Sequence, residues 1–332
     1  TYGLPLEITR DVAQEKGFTV DEDGFRKARA EHANASGSGA FERYATEANV
    51  YARLLAELAD SGELPDSVVN YDPYSGSSMT SRIVAIIKDG TAVPEAKEGD
   101  HVEVVTAATP FYVEAGGEVS DTGNIYQERF NAAFLVEDVR QPTPGLVVHH
   151  GIVRRGTMKV GEDARLEVDE ERRWDIRRNH TATHILHKEL RRHLGDHVVQ
   201  KGSLVAPDRL RFDFSASEAV DPETLASIEA GVNEAVLRNQ PVTVSHMGQR
   251  EAIEKGAMAL FGEKYGDIVR TIRIGDAGKP YSFELCGGLH VNETGDIGLF
   301  RFTSEEAVGA GLRRVEAVTG RGAQHFVSKR LG

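Results

Sequence analysis

Apolar positions recur along this 332-residue chain with two periods, and the change between them divides it. From Asp21 to roughly Ala35, and from Phe41 to Ala59, they fall at helical spacing, with Tyr44, Tyr51, Leu54, Leu55 and Leu58 on the second run. Ser36-Gly-Ser-Gly39 separates the two, and Ser61-Gly-Glu-Leu-Pro65 closes the part. Beyond it the runs become short and β-type: Arg82–Ile87, His101–Val105, Ala133–Val136, Leu146–Val148 and Arg165–Val168, spaced by Gly and Pro turns. That pattern predicts a small β-barrel. From 171 onward both periods mix. A helix-like run from Arg172 to Leu194 stops at Gly195, and Arg209–Phe214 alternates like a half-buried strand. Asp221-Pro222 puts a capping Asp and a first-turn Pro at the head of a helix through Leu237. Strand-like runs return at Pro241–Val244, Ile268–Ile274, Leu299–Thr303 and Leu312–Val318, and a helix begins after Thr319-Gly320. The expected class is α+β: a helical segment over 1–65, a β-barrel over 66–170, an antiparallel sheet with helices packed on it over 171–320, and the start of a further helix over 321–332.

Two pairs of ligand-type residues stand out against this background. His180 and His184 are four apart on the helix-like run, hence one turn apart on one face. Cys286 and His290 have the same spacing in Cys286-Gly-Gly-Leu-His290, where two glycines permit a tight turn. Taken singly, a helical His pair is commonly a chance surface feature and a lone Cys a buried small hydrophobe. Taken together they supply the four donors of a tetrahedral zinc site, with His187 nearby as a third helical ligand or a supporting group.

Composition narrows the setting. The single cysteine excludes an internal disulfide and fits a reducing compartment. No apolar run approaches a membrane span and no charged-then-apolar leader opens the chain, so a cytoplasmic protein is expected. Thr1 stands without an initiator Met, which suggests a piece of a longer protein. The net charge of −13 argues against a generic nucleic-acid binder. Local clusters matter more than the total, and Arg172, Arg173, Arg177 and Arg178 flank the His pair, with Arg313 and Arg314 forming another group. Each has a bland reading as a solvated face; near a metal site, arginine also reads as a phosphate grip.

Asn179-His-Thr-Ala-Thr-His-Ile-Leu-His187, Gln200-Lys-Gly-Ser203, Leu285-Cys-Gly-Gly-Leu-His-Val291 and Gly309–Gly320 with its Arg313-Arg314 pair resemble the editing domain of the alanyl-tRNA synthetase family. Thr1–Leu6 and Phe18–Phe25 resemble the segment just upstream in bacterial members. The resemblance is collinear over nearly the whole chain. Threonyl-tRNA synthetases share a related HxxxH and CxxxH domain but lack the barrel-like segment and the Arg-Arg word. One departure is Leu289, where the family usually carries threonine; a hydroxyl beside the metal loop is lost, the ligands are not.

The resemblance implies a zinc-dependent hydrolase that deacylates tRNA(Ala) mischarged with serine or glycine. His180, His184, Cys286 and His290 would hold Zn2+; Gln200, Thr181 and Thr183 would be the catalytic and discriminating side chains; Arg177, Arg313 and Arg314 would contact tRNA. Asp213 and Glu284 are candidates to orient a histidine. The glycine loop Glu114–Gly123 lacks the Gly-Lys-Ser/Thr of a phosphate loop and resembles the loop that editing proteins bring against their active site. Four protein ligands are also the signature of structural zinc, so a direct part for the metal in the attack stays open. The competing readings are a tRNA-binding module with structural zinc and no hydrolysis, and a freestanding trans-editing protein. Aminoacylation is not expected, because nothing resembles the ATP- and alanine-binding motifs.

Overall fold

A computed structural model describes residues 50–64, 66–259 and 266–331. The helix expected over 21–35 lies outside the described residues, as does most of that over 41–59, of which 50 onward is helical to residue 60. The chain divides into two compact units, Thr1–Glu57 and Leu58–Gly332, and the second holds the barrel, the sheets and both ligand pairs.

Seven strands of the first half, taken in chain order, belong to one sheet: β1 (Ser78–Lys88), β2 (Thr91–Val93), β3 (His101–Thr106), β4 (Gly123–Gln127), β5 (Ala132–Thr143), β6 (Leu146–Arg155) and β7 (Asp163–Val168). They form one antiparallel sheet in the order β7-β4-β5-β6-β3-β1-β2. β7 also pairs with β1, so six strands close a barrel and β2 remains outside as a hairpin on β1. Closure leaves the six-stranded ring without a free edge. Ile86, Val104, Ile125, Phe134 and Leu166 have no exposed surface, and in β4 and β7 buried positions alternate with partly exposed ones.

The second half runs α1 (Glu170–Leu194), β8 (Gln200–Val205), β9 (Leu210–Ser215), α2 (Pro222–Leu237), β10 (Val242–Gly248), α3 (Gln249–Glu254), β11 (Ile268–Ile274), β12 (Ser282–Leu285), β13 (Phe300–Gly309), β14 (Leu312–Thr319) and α4 (Gly320–Leu331). The α+β expectation holds: β8-β9-β14-β13 is one antiparallel sheet and β10-β11-β12 another. Asp169 caps α1 by accepting from the Arg172 backbone N–H, and Asp221 caps α2 by accepting from that of Thr224. Ile185, Leu186 and Leu190 of α1 pack with Phe212 and Phe214 of β9, Ile228 and Val232 of α2, and Phe300 and Val315 of the adjoining strands. Among the described residues no helix is long and apolar enough to cross a membrane.

A buried arginine helps join the halves. Arg173, in the first turn of α1, has no exposed surface. Its Nε donates to both Asp121 oxygens at 3.2 and 3.1 Å, while Nη1 and Nη2 donate to the carbonyls of Gly76 and Pro110 at 2.9 and 2.6 Å. Removing one partner of such a pair strands a buried charge. Arg173→Leu is therefore expected to lower the free energy of unfolding by about 3–5 kcal/mol in urea titration; a loss below about 1 kcal/mol would contradict this role.

A second buried group makes barrel stability depend on pH. His149 on β6 has no exposed surface; its Nδ1 donates to the Val104 carbonyl at 2.9 Å and its Nε2 accepts from the Thr109 hydroxyl at 2.7 Å. Burial pulls its pKa from 6.5 to about 4, against the Val104 bond. Between those two values the unfolded chain takes a proton that the folded chain refuses, so stability is lost as pH falls through that window. The loss is on the order of 3 kcal/mol. His149→Gln should show a correspondingly smaller drop in unfolding free energy between neutral and mildly acid pH, and an equal drop in both proteins would assign the acid sensitivity elsewhere.

Candidate metal centre and its cavity

The ligand atoms of His180, His184, Cys286 and His290 all lie within 4.8 Å of one another. The two helical histidines face one way because α1 advances about one turn in four residues. Cys286 follows the last residue of β12, and the chain bends back to bring His290 onto the same point. The Cys286 Sγ is 3.4 Å from Nε2 of both His180 and His290. The expected tight turn through the two glycines takes another form. Neither Gly287 nor Gly288 adopts a positive φ; Gly288 is needed because a Cβ there would collide with the His180 ring and the Glu118 carboxylate.

Each imidazole is turned inward by a partner on its other nitrogen. His180 Nδ1 bonds Glu118 Oε2, His184 Nδ1 lies 2.8 Å from Glu284 Oε2, and His290 Nδ1 is 3.1 Å from the Thr181 hydroxyl. That hydroxyl donates to the Arg177 carbonyl, so it accepts from His290 and from the Val291 backbone N–H. The three Nε2 lone pairs are left to converge, and that of His184 is buried without a hydrogen-bond partner. Orphaned nitrogen, an adjacent sulfur and carboxylate-oriented histidines together fit a metal ion, and three imidazoles with a thiolate are consistent with zinc.

The charges agree. Burial works to raise the Cys286 pKa, yet His180, His184 and His290 hold it well below the usual thiol range. Burial would lower His180, but Cys286 and then Glu118 carry it up to about 9. His184 likewise overcomes burial, through Glu284 and Cys286, and lies well above its ordinary value. His290 falls to about 3, through burial and then the neighbouring His180 charge. The surrounding imidazoles thus favour the thiolate form of Cys286, which is the form that binds a metal, and metal binding there would release protons.

The cluster opens on a cavity of about 420 Å³ whose walls include Tyr112, Gly116, Thr183, Gln200, Ser203 and Arg270. Gly116 belongs to the glycine loop, which the barrel sends across to β8. At Gly117, with φ of 86°, a Cβ would sit 2.6 Å from the Ser203 carbonyl oxygen and hydroxyl. The Cys286–Val291 backbone is gripped from several sides: Arg270 Nη1 donates to the carbonyls of Cys286 and Gly288 at 2.9 and 2.7 Å, and the Tyr74 hydroxyl to that of Gly287 at 2.6 Å. The Leu289 N–H donates to Glu118 at 3.0 Å. Leu289 itself is buried, so the residue is held through its backbone.

The remaining candidates divide. Thr183 and Gln200 line the cavity. Thr183 donates to the Asn179 carbonyl, and the Gln200 amide donates to Ser203 Oγ at 3.3 Å. Thr181 is fully buried behind the ligands, turned toward His290 instead of the cavity. Glu284 orients His184, as one of the two acidic candidates; Asp213 instead accepts from Arg314 at 2.7 and 2.9 Å. His187 is outside the four-ligand group and lies 3.7 Å from Glu284. Arg313 is held by both Glu305 oxygens, and Arg177 stacks 5.3 Å over the Trp174 ring. Glu118, Arg270 and Tyr74 are functional neighbours that sequence reasoning misses. The only signal for Glu118 is an acidic residue directly after paired glycines, a weak one.

Residues 1–172 match the family described as tRNA synthetases class II (A), and residues 269–316 match the Threonyl and Alanyl tRNA synthetase second additional domain. The chain is 47% identical over 338 residues to an alanine–tRNA ligase of Chelativorans sp. (strain BNC1), covering 99% of this chain and 37% of that protein. It is 44% identical over 337 residues to the alanine–tRNA ligase of Chloroflexus aurantiacus, covering 99% of this chain and 36% of that one. The alanine–tRNA ligase of Rhizobium meliloti (strain 1021) is 47% identical over 341 residues, with 99% and 37% covered. The chain therefore spans little more than a third of the length of these curated relatives.

Cys286→Ala and His184→Ala are each expected to weaken Zn(II) binding to the metal-free chain by 100-fold or more, on the order of a lost first ligand and beyond that of a lost supporting partner. Competition with a chromophoric chelator reads this directly. Undiminished affinity in either variant would remove that residue from the metal centre.

Proposed function

The chain belongs to the class II (A) tRNA synthetases, and on that footing we propose that it is their editing hydrolase, removing serine or glycine wrongly esterified to tRNA(Ala). The observation that carries the reading is the four-donor cluster at the floor of a cavity lined by hydrogen-bonding side chains and a glycine loop. The proposed division is a helical part over 1–65, the barrel with its glycine loop over 66–170, the zinc-binding deacylase over 171–320 and the start of a linker helix over 321–332. A cytoplasmic setting goes with this activity.

His180, His184, Cys286 and His290 would hold zinc, which when bound supplies a Lewis acid beside the ester. Glu118, Glu284 and Thr181 keep the imidazoles aimed. Gly116 and Gly117 let backbone approach the aminoacyl group closely. The Thr183 hydroxyl already donates to Asn179, so it offers the substrate an acceptor for a serine hydroxyl, with Gln200 beside it. A serine ester would make this added hydrogen bond and an alanine ester would not, which separates those two; a glycine ester has no hydroxyl and is not selected by this contact. Arg177, Arg313 and Arg314 are assigned to the tRNA backbone, with Glu305 and Asp213 orienting the last two.

The completeness of the donor set favours one rival: a structural metal in a tRNA-binding module without hydrolysis. Release of labelled amino acid separates them. The purified chain should free serine from Ser-tRNA(Ala) on the order of 100-fold faster than alanine from Ala-tRNA(Ala). Zinc bound with neither ester cleaved would favour the rival.

A further inference from the structure

We infer that Glu118 is the positioning residue through which the barrel's glycine loop and the metal centre hold each other in place. This rests on the metal centre of the proposed function, not on the identity of the ester. Three sequence-distant words meet at this one carboxylate. It comes from the glycine loop, it bonds Nδ1 of His180 on α1, and it accepts the Leu289 N–H from the Cys286–His290 turn at 3.0 Å. Glu118 has no exposed surface, and its own backbone is fixed on both sides: its N–H donates to the Ala115 carbonyl at 3.0 Å, and Val119 N–H donates to Val205 of β8 at 3.0 Å. The missing side chain of Gly288 makes room for the Glu118–His180 contact.

The chemistry of the contact is directional. With His180 Nε2 turned to a metal, its proton resides on Nδ1 and is donated to Glu118, which fixes the tautomer and the ring plane and makes the imidazole a better donor. The coupling is reciprocal by necessity: whatever Glu118 adds to metal affinity, the metal returns as order in the loop that walls the cavity. His184 and His290 take their support from the second half itself, through Glu284 and Thr181. Among the described residues Glu118 is the only partner of a ligand nitrogen supplied from the barrel side.

The test uses the whole chain and Zn(II), with no tRNA. Glu118→Leu should weaken zinc binding 10- to 100-fold in chelator competition. Glu118→Gln, whose amide oxygen accepts the same two N–H groups, should recover most of that loss. Hydrogen exchange on the native chain, metal-free against zinc-loaded, needs no variant: zinc should slow exchange across residues 114–119 as well as around Cys286–His290. Native zinc affinity in Glu118→Leu, or unchanged exchange over 114–119 on zinc loading, overturns the proposal while leaving the metal centre standing. A native chain that binds no zinc overturns the metal centre itself.

Discussion

A guanidinium with no access to water sets the terms for the rest of the molecule. Arg173 can remain charged inside the protein only if its N–H groups are all met, and they are met by Asp121 near the end of the glycine loop, by the Gly76 carbonyl ahead of the barrel and by the Pro110 carbonyl after β3. That requirement fixes where α1 starts relative to the loop. From Arg173 it is two turns along the helix to His180 and three to His184, so the depth of the helix against the barrel is also the depth of two metal ligands. A loop that carries Asp121 at one end and Glu118 three residues earlier is tied to the same helix twice, once for position and once for chemistry.

The metal centre obeys the same economy of unmet groups. The turn from Cys286 to Val291 makes no regular ladder, yet the carbonyls of residues 286–288 and the N–H groups of Leu289 and Val291 are each bonded by a side chain. These donors and acceptors come from the approach to the barrel, the glycine loop, α1 and β11. An irregular segment at depth survives because its polar atoms are satisfied. The result is a rigid cradle in which a cysteine and a histidine four apart need not lie on a helix to share an ion.

Much of this was legible before any coordinates. The ends of α2 follow from Asp221, Pro222 and the loss of period after Leu237, because caps and periodicity are local physics. β11 is read to the residue for a similar reason, an apolar run bounded by turn residues. The strand Gly123–Gln127 and the short helix Gln249–Glu254 escape, the first because a glycine opens it within a turn-rich stretch, the second because six residues are too few to express a helical period. In the site, both ligand pairs show in the sequence as i, i+4 spacings. Their supports do not: Glu118 and Leu289 are 171 residues apart and Tyr74 and Gly287 are 213 apart, separations at which spacing carries no information. Thr181 illustrates the complementary limit. A motif names the residue but not the face of the helix wall it serves, and here it supports His290.

Leu289 and Gly288 stand side by side under opposite constraints. Leu289 is gripped by its amide, and its side chain is turned into packing, so the position is bound by volume and not by the chemistry of what fills it. Gly288 is bound by the absence of a Cβ between an imidazole and a carboxylate. A side chain of similar volume could replace the first without loosening the backbone grip, whereas any side chain at the second would strike the His180 ring or the Glu118 carboxylate.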